Sequence, residues 1–430
     1  MTYEESLSYL ENLGKFGINL GLSRIEHLLD LMQHPERKYK TIHVTGTNGK
    51  GSTTAMLAGI LTACGFKTGM YTSPHLSEYT ERMIINGDMA TKADFAEAVN
   101  YTASFVAQMT EEGWEHPTEF EVLTAAAFYY FAAKGVEYAV IEVGLGGLLD
   151  STNVIVPEIS VITNVTMEHA DRCGDVIASI AKHKAGIIKR GIPVVTAAQG
   201  EALEVIRLAA EDNNASLYVM GRDFSAESIG MEGWRQKVSV RSLTLGDIGC
   251  FTVNLLGSHQ VENCAVAVQA AMILANSEKT IVKQGIARGL SRTEWPGRFE
   301  IVEGPPVMII DGAHNPDGAK KLRSNLDSLF GQRSIVFLLG ILKDKDITGI
   351  INSLIKPSDK VVVVAPISSR AGEPVEIARE IQASSVETAK SIEAGIDRAR
   401  EIAGTQGLVC IAGSLYLIGA ARQIILSGQK

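Results

Sequence analysis

No run of about 18 apolar residues occurs in this chain, which argues against a membrane-spanning helix. Basic excess is missing too: 40 Lys and Arg stand against 49 Asp and Glu, a formal charge of −9. That balance excludes broad electrostatic binding to nucleic acid or to an anionic membrane surface. Anionic ligands must instead be held by local devices: backbone N–H groups, single basic side chains or metal ions. The five cysteines, Cys64, Cys173, Cys250, Cys264 and Cys410, are odd in number and show no C-x-x-C spacing. They read as reduced thiols of a soluble cytoplasmic protein. The N-terminal segment carries Glu4, Glu5 and Glu11 and lacks the apolar core of a secretory signal. Short repeats and low-complexity tracts are absent as well.

What is present is an ordinary globular composition, 46% hydrophobic and 21% charged over 430 residues. At about 100–200 residues per domain, two or three domains are expected. Residues 1–40 read as helical, with Leu28, Leu29, Leu31 and Met32 near an apolar face. A short strand, Thr41–Thr45, then meets a glycine-rich turn and a helix from about Ser52 to Cys64. Further β-like runs at Tyr138–Val143, Ile159–Thr163 and Ile192–Thr196, with helical patterns such as Glu121–Lys134 between them, predict a mostly parallel, covered sheet. The stretch Leu217–Asn254 suggests antiparallel strands. At Ser291–Gly297 the Pro296-Gly297 pair interrupts regular structure, and α/β alternation restarts beyond it, with strands expected at 306–310, 334–339, 360–364 and 407–411. The expectation is an α/β protein: an N-terminal phosphate-loop domain over 1–296 and a smaller Rossmann-like domain over 297–430.

The strongest local signal is Thr45-Gly46-Thr47-Asn48-Gly49-Lys50-Gly51-Ser52-Thr53. Its glycines let backbone N–H groups converge on phosphate oxygens, and the following helix adds the positive end of its dipole. Lys50 supplies a mobile cation, and Ser52 or Thr53 a hydroxyl for capping or for magnesium. The spacing is not the common G-x-x-x-x-G-K-[ST], because Gly51 separates the lysine from the hydroxyls. An ordinary Gly/Thr-rich strand-to-helix turn is the alternative.

Other candidates are weaker alone. Glu142 ends a strand before Gly144-Leu145-Gly146-Gly147, at the carboxyl edge where parallel sheets bind ligands; a solvated strand-end glutamate is the alternative. His169 is an uncommon magnesium ligand and otherwise a polar loop histidine. Lys184, beside Lys182 and His183, is either reactive or a surface helix lysine. Asp311-Gly312-Ala313-His314-Asn315-Pro316 enters a helix through an Asn cap and a first-turn Pro, and is a site loop or simply a capped turn. Arg298 suits phosphate contact or plain exposure. Ser73-Pro74-His75-Leu76 and Asp150-Ser151-Thr152-Asn153 read by themselves as loops.

Taken in order, these motifs resemble the folylpolyglutamate synthase and dihydrofolate synthase family, a branch of the Mur ligase superfamily. Leu20-Gly21-Leu22, Glu81-Arg82, Thr118-Glu119-Phe120-Glu121, Lys184-Ala185-Gly186-Ile187, Pro296-Gly297-Arg298 and Gly413-Ser414-Leu415-Tyr416 extend the likeness from about residue 15 to residue 420. The resemblance implies an ATP-dependent ligase that adds L-glutamate to a folate through an acyl phosphate. Gly46, Thr47, Asn48, Gly49, Lys50, Gly51 and Ser52 resemble the phosphate cradle; Asn263, Arg298 and Asp311 resemble further nucleotide contacts. Ser73, Glu142 and His169 resemble the magnesium ligands. Lys184 resembles a lysine carbamylated by CO₂, which then serves a second magnesium. Thr118, Glu119, Phe120, Glu121, Leu149, Asp150 and Ser151 resemble pterin-side contacts. Lys50, Lys184 and His314 form the implied catalytic set. The implied partners are small molecules only (folate, L-glutamate and ATP), with no nucleic acid or membrane and a monomeric chain.

Three positions depart from the family pattern: Leu148 where arginine is usual, His183 where glutamate is usual, and Glu119 where an aromatic is common. The first and last bear on the pterin contacts and point to a shifted substrate preference. Dihydrofolate synthase activity, alone or as a second activity, remains open. A cell-wall Mur ligase would need a nucleotide-sugar domain before the phosphate loop, and 44 residues precede Thr45. A phosphate-loop kinase would not need the restarted domain. A non-catalytic nucleotide binder would not need Lys50, Glu142 and Lys184 together.

Overall fold

A computed structural model of the chain describes residues 1–14, 17, 19–167, 174, 176–243, 246–331, 333 and 335–427. His169 and Cys173 lie outside the described residues. The chain divides into two units. The first comprises Met1–Gly230, Gln236–Asn254 and Gln260–Thr293; the second comprises Met231–Arg235, Leu255–His259 and Glu294–Lys430.

The first unit is built on β1 (Lys40–Thr45), β2 (Thr68–Tyr71), β3 (Met83–Ile85), β4 (Asp88–Met89), β5 (Tyr138–Glu142), β6 (Ile159–Ile162), β7 (Val194–Thr196) and β8 (Leu217–Val219). Their order is β4-β3-β2-β5-β1-β6-β7-β8. From β2 to β8 every pairing is parallel, while β3 and β4 add an antiparallel edge. Apolar, β-branched β1 is central: Ile42 and Val44 are 0% exposed. Chain order reverses beside it, since β5 flanks it on one side and β6 on the other. Ligands bind at such a switch point, outside the carboxyl ends of the strands.

The helix Lys50–Ala63 leaves that edge and is buried on nearly every face, from Ser52 to Leu61. The helix Lys283–Arg292 crosses it at glycines: a Cβ on Gly289 would lie 2.5 Å from Ile60 Cα, and one on Gly59 2.6 Å from Thr293 Oγ1. Leu217–Val219 does not start an antiparallel region as its irregular surroundings suggested. It extends the parallel sheet beside β7, and the antiparallel part begins only with β9 (Phe224–Glu232), β10 (Arg235–Ser242) and β11 (Gly246–Val253).

The second unit holds β12 (Glu300–Val302), β13 (Val307–Ile310), β14 (Val336–Leu339), β15 (Lys360–Val363), β16 (Ser385–Thr388) and β17 (Leu408–Ala412). The order is β12-β13-β17-β14-β15-β16, parallel except for β12. Ile309, Phe337, Leu339, Val361, Val363 and Cys410 make its core. The α/β class, with a large mostly parallel sheet and a second smaller one, is as expected. Among the described residues no helix is long and apolar enough to cross a membrane.

Candidate active site

The site begins where β1 ends. Gly49 sits in the left-handed region (φ 84°) as the residue before the helix Lys50–Ala63, and any side chain there would overlap Asn263. Gly46 is equally constrained, since a Cβ would overlap Thr163 Oγ1. Both glycines are therefore required by close approach.

The strand-end residues of β6 hold the loop. Thr47 N–H donates to the Asn164 carbonyl at 2.8 Å, and Asn48 N–H to Asn164 Oδ1 at 2.9 Å. Thr163 Oγ1 donates to the Asn48 carbonyl at 2.7 Å. Beyond Gly49 the first-turn N–H groups of the helix have no intrahelical acceptor and carry the positive end of the helix dipole. Gln260 Nε2 donates to Ser52 Oγ at 3.2 Å, and Asn263 Nδ2 donates to Gln260 Oε1 at 2.9 Å. This places Asn263 at the loop.

Two ammonium groups converge on one loop carbonyl. Lys50 Nζ donates to the carbonyls of Gly46 and Thr47 at 3.1 and 3.2 Å. Lys184, 3% exposed at the end of the helix Ile177–Ala185, donates to the same Gly46 oxygen at 2.7 Å. One strand over, Glu142 is 4% exposed and its Oε2 accepts the Ser73 N–H at 3.1 Å. Ser73 and Glu142 are thus brought together, while His169 lies outside the described residues.

The Gly144–Asn153 loop follows β5. Asp150 accepts from Leu145 N–H at 2.7 Å and from Thr152 N–H at 3.0 Å. Burial pushes its carboxyl above the usual carboxylate range, opposed by these hydrogen bonds. Ser151 is buried, whereas Leu148 and Leu149 are exposed. The Phe120 ring lies against Gly144, where a Cβ would come within 2.5 Å of it.

Phe120 belongs to the helix Glu119–Ala133, which starts in a capping box: Thr118 N–H donates to Glu121 Oε2 at 2.7 Å and Glu121 N–H to Thr118 Oγ1 at 3.3 Å. Buried Arg24 donates to the same Glu121 carboxylate at 3.2 Å. Thr118 and Glu121 thereby shape the helix start. Glu119 accepts from Tyr79 O–H at 2.9 Å. Nearby, Arg82 donates to His75 Nδ1 at 3.0 Å, and burial together with Arg82 lowers the imidazole to about 3.

In the second unit, Asp311 follows β13 and accepts from Phe299 N–H at 2.8 Å and Ala313 N–H at 2.9 Å. Enclosure raises its carboxyl, and Arg298 opposes the rise. His314 Nδ1 lies 2.8 Å from the Gly312 carbonyl. A carbonyl only accepts, so Nδ1 carries a proton. Asn315 caps the helix Pro316–Phe330 by accepting from Gly318 N–H at 2.7 Å.

Sequence reasoning missed Thr163, Asn164, Gln260, Arg24 and His43. The signal for Asn164 was its place just past a predicted strand of the same sheet. Gln260 precedes Asn263 by three residues on one helix, the spacing of side chains on a shared face. Among the described residues no group of three His, Cys, Asp or Glu converges.

A phosphate loop opening a parallel sheet, with a second α/β unit after it, is the build of a Mur-type ligase. Residues 44–271 match the Mur ligase middle domain, and residues 297–415 match the Mur ligase glutamate ligase domain. Within that class the chain belongs to the folylpolyglutamate synthase and dihydrofolate synthase family. It is 35% identical to the folylpolyglutamate synthase of Lacticaseibacillus casei, over 100% of both chains. It is also 35% identical to the dihydrofolate synthase/folylpolyglutamate synthase of Bacillus subtilis, over 98% of each. The structure of Mycobacterium tuberculosis folylpolyglutamate synthase complexed with ADP superposes with a TM-score of 0.90 at 31% identity, covering 98% of each chain.

Proposed function

We propose that this ligase consumes ATP to join L-glutamate to a folate, and that it also accepts dihydropteroate. The observation that carries the reading is the Lys50 ammonium on the Gly46 and Thr47 carbonyls of the glycine-shaped phosphate loop. ADP bound by the M. tuberculosis relative, and the two activities in the B. subtilis relative's name, support the nucleotide and the second acceptor.

A carboxylate is a poor acyl donor because its leaving group would be oxide. Attack of the folate carboxylate on the ATP γ-phosphorus makes an acyl phosphate and releases ADP. The glutamate amine then attacks the acyl carbon, the amide forms, and phosphate departs. In this scheme Gly46 to Ser52 and Asn263 hold the nucleotide, and Lys50 balances charge on the transferring phosphoryl group. Arg298 and Asp311 serve the nucleotide from the residues after 296. His314 takes the proton that the attacking amine must lose. Glu119, Phe120 and Leu149 face the pterin, while Thr118, Glu121, Asp150 and Ser151 shape the helix start and loop that carry them. Residues 1–296 form the ATP-binding domain and 297–430 the glutamate-ligase domain of a cytoplasmic monomer.

Magnesium fits the donor set. Hard oxygen ligands suit it, and the Glu142 carboxylate lies beside Ser73 at the strand edge. Ser73 and Glu142 with His169 would hold one ion, and carbamylated Lys184 a second. When bound, the ions supply positive charge to the phosphate oxygens. The test is ADP release with L-glutamate and either tetrahydrofolate or dihydropteroate. ADP that requires both the acceptor and glutamate is expected; equal ATP consumption without either would sink the ligase reading.

A further inference from the structure

Parallel strands covered on both faces are usually apolar throughout, yet β1 is not. Its alternate residues Thr41, His43 and Thr45 are 2%, 0% and 0% exposed. Residues two apart on a strand point to one face, so β1 carries a buried polar stripe. Buried polar groups need partners, and all three find them in a single later segment. Thr45 Oγ1 donates to the Gly146 carbonyl at 2.7 Å, His43 Nε2 lies 2.9 Å from Thr152 Oγ1, and Thr41 Oγ1 donates to the Val156 carbonyl at 3.5 Å.

The central contact has a direction. Thr152 has one hydroxyl proton and gives it to Asp150 Oδ1 at 2.5 Å. The hydroxyl is therefore the acceptor toward His43, whose Nε2 bears the proton. Asp150 in turn accepts the Leu145 N–H at 2.7 Å. The relay runs from the central strand through His43, Thr152 and Asp150 to the backbone at the start of the glycine loop. His43 Nδ1 has no hydrogen-bond partner and is buried. On packing alone an apolar side chain would serve this position better, so what the histidine supplies is its contact with the loop.

We propose that His43 is a positioning residue, fixing the Gly144–Asn153 loop for the acceptor substrate through Thr152 and Asp150. This rests on the reading of that loop as the pterin side. Thr47 and Asn48 of the phosphate loop are held by a different pair, Thr163 and Asn164. Loss of the relay therefore acts on the acceptor and spares the nucleotide.

The experiment compares His43→Leu, which removes the donor, with His43→Gln, whose amide N–H can replace Nε2–H. In His43→Leu, KM for tetrahydrofolate is expected to rise about ten-fold, the worth of one hydrogen bond, with kcat and KM for ATP unchanged. His43→Gln should restore it to near the parent value. Hydrogen exchange of the peptide containing Leu145 should accelerate in His43→Leu and return in His43→Gln. An unchanged acceptor KM, an equal rise in KM for ATP, or exchange that does not respond would overturn the proposal. Thr152→Val breaks the same relay without touching β1 and decides the matter should His43→Leu not fold. Absence of folate-dependent ADP release in the parent enzyme would instead defeat the functional reading, and the exchange data would still judge the relay.

Discussion

Lys50 is the residue on which nucleotide chemistry turns. Its ammonium has loop carbonyls as its near partners, so removal leaves the fold intact and takes away charge where the transferring phosphate gathers it. Lys50→Ala should lower kcat about 10²–10³-fold, in the range found for loss of one transition-state donor, with the melting temperature within a degree or two of the parent. A second expectation concerns pH. Burial, and Lys189 secondarily, lowers the His43 imidazole to about 3. An unfolded histidine titrates near 6.5, so between those values the unfolded chain binds the extra proton. His43 thus contributes stability above about pH 6.5 that is lost as pH falls toward 3. Asp150, raised by burial, works in the opposite sense. Comparing His43→Gln with the parent isolates the histidine: urea unfolding near pH 5 should show a slope against pH flatter by up to about 1.4 kcal/mol per unit. An unaltered slope would mean that the imidazole takes up its proton while folded.

At the scale of elements, the start of the helix Glu119–Ala133 joins capping to a buried ion pair. Arg24 and Glu121 have side chains 8% and 1% exposed. Cutting the cap alone by Thr118→Ala should destabilise by about 1 kcal/mol. Glu121→Ala removes the buried partner of Arg24, which keeps the Asn19 carbonyl at 2.6 Å and exposed Glu115 at 3.5 Å, and should cost about 3 kcal/mol, read by urea unfolding; equal losses would deny the buried pair its role. This element also shows what the sequence could and could not disclose. Thr118-x-x-Glu121 is a legible capping box, and the helix was expected from Glu121, two residues late. Arg24 is 97 positions away in sequence, and nothing local marks it. The phosphate loop was legible for the opposite reason: strand, glycines, lysine and helix are contiguous. β2 escaped notice because Thr68-Gly69-Met70-Tyr71 is short and has a glycine inside it, which suits close packing of the Phe131 ring but weakens any strand pattern. β16, Ser385–Thr388, is a polar edge strand whose order comes from pairing with β15. The polar stripe of β1 was visible as Thr-x-His-x-Thr, but its partners at 146–156 emerge only with the sheet.

For the whole molecule, the two units have separate large sheets and separate apolar cores, so each is expected to unfold in its own transition, the first unit's being the one that reports on His43, Thr118 and Glu121. The second unit holds a charge network that lets one core be weakened by itself. Asp359 is 0% exposed and accepts from Arg323 at 2.8 Å, from Ile335 N–H at 3.2 Å and from Lys356 N–H at 2.9 Å. Arg323 also donates to Asp327 at 2.6 Å. Asp359→Ala removes an acceptor from the buried Ile335 N–H, the part-buried Lys356 N–H and a buried guanidinium, and should destabilise that unit by about 3–5 kcal/mol. Because Glu142, Lys50 and the phosphate loop belong to the other core, the loss should be local. Hydrogen exchange would show faster opening in β13–β17 of the variant, with protection in β1, β5 and β6 kept at the parent level. Equal loss of protection in both sets would mean that the two cores open as one cooperative body, and nucleotide binding and glutamate transfer could then not be weakened independently by mutation.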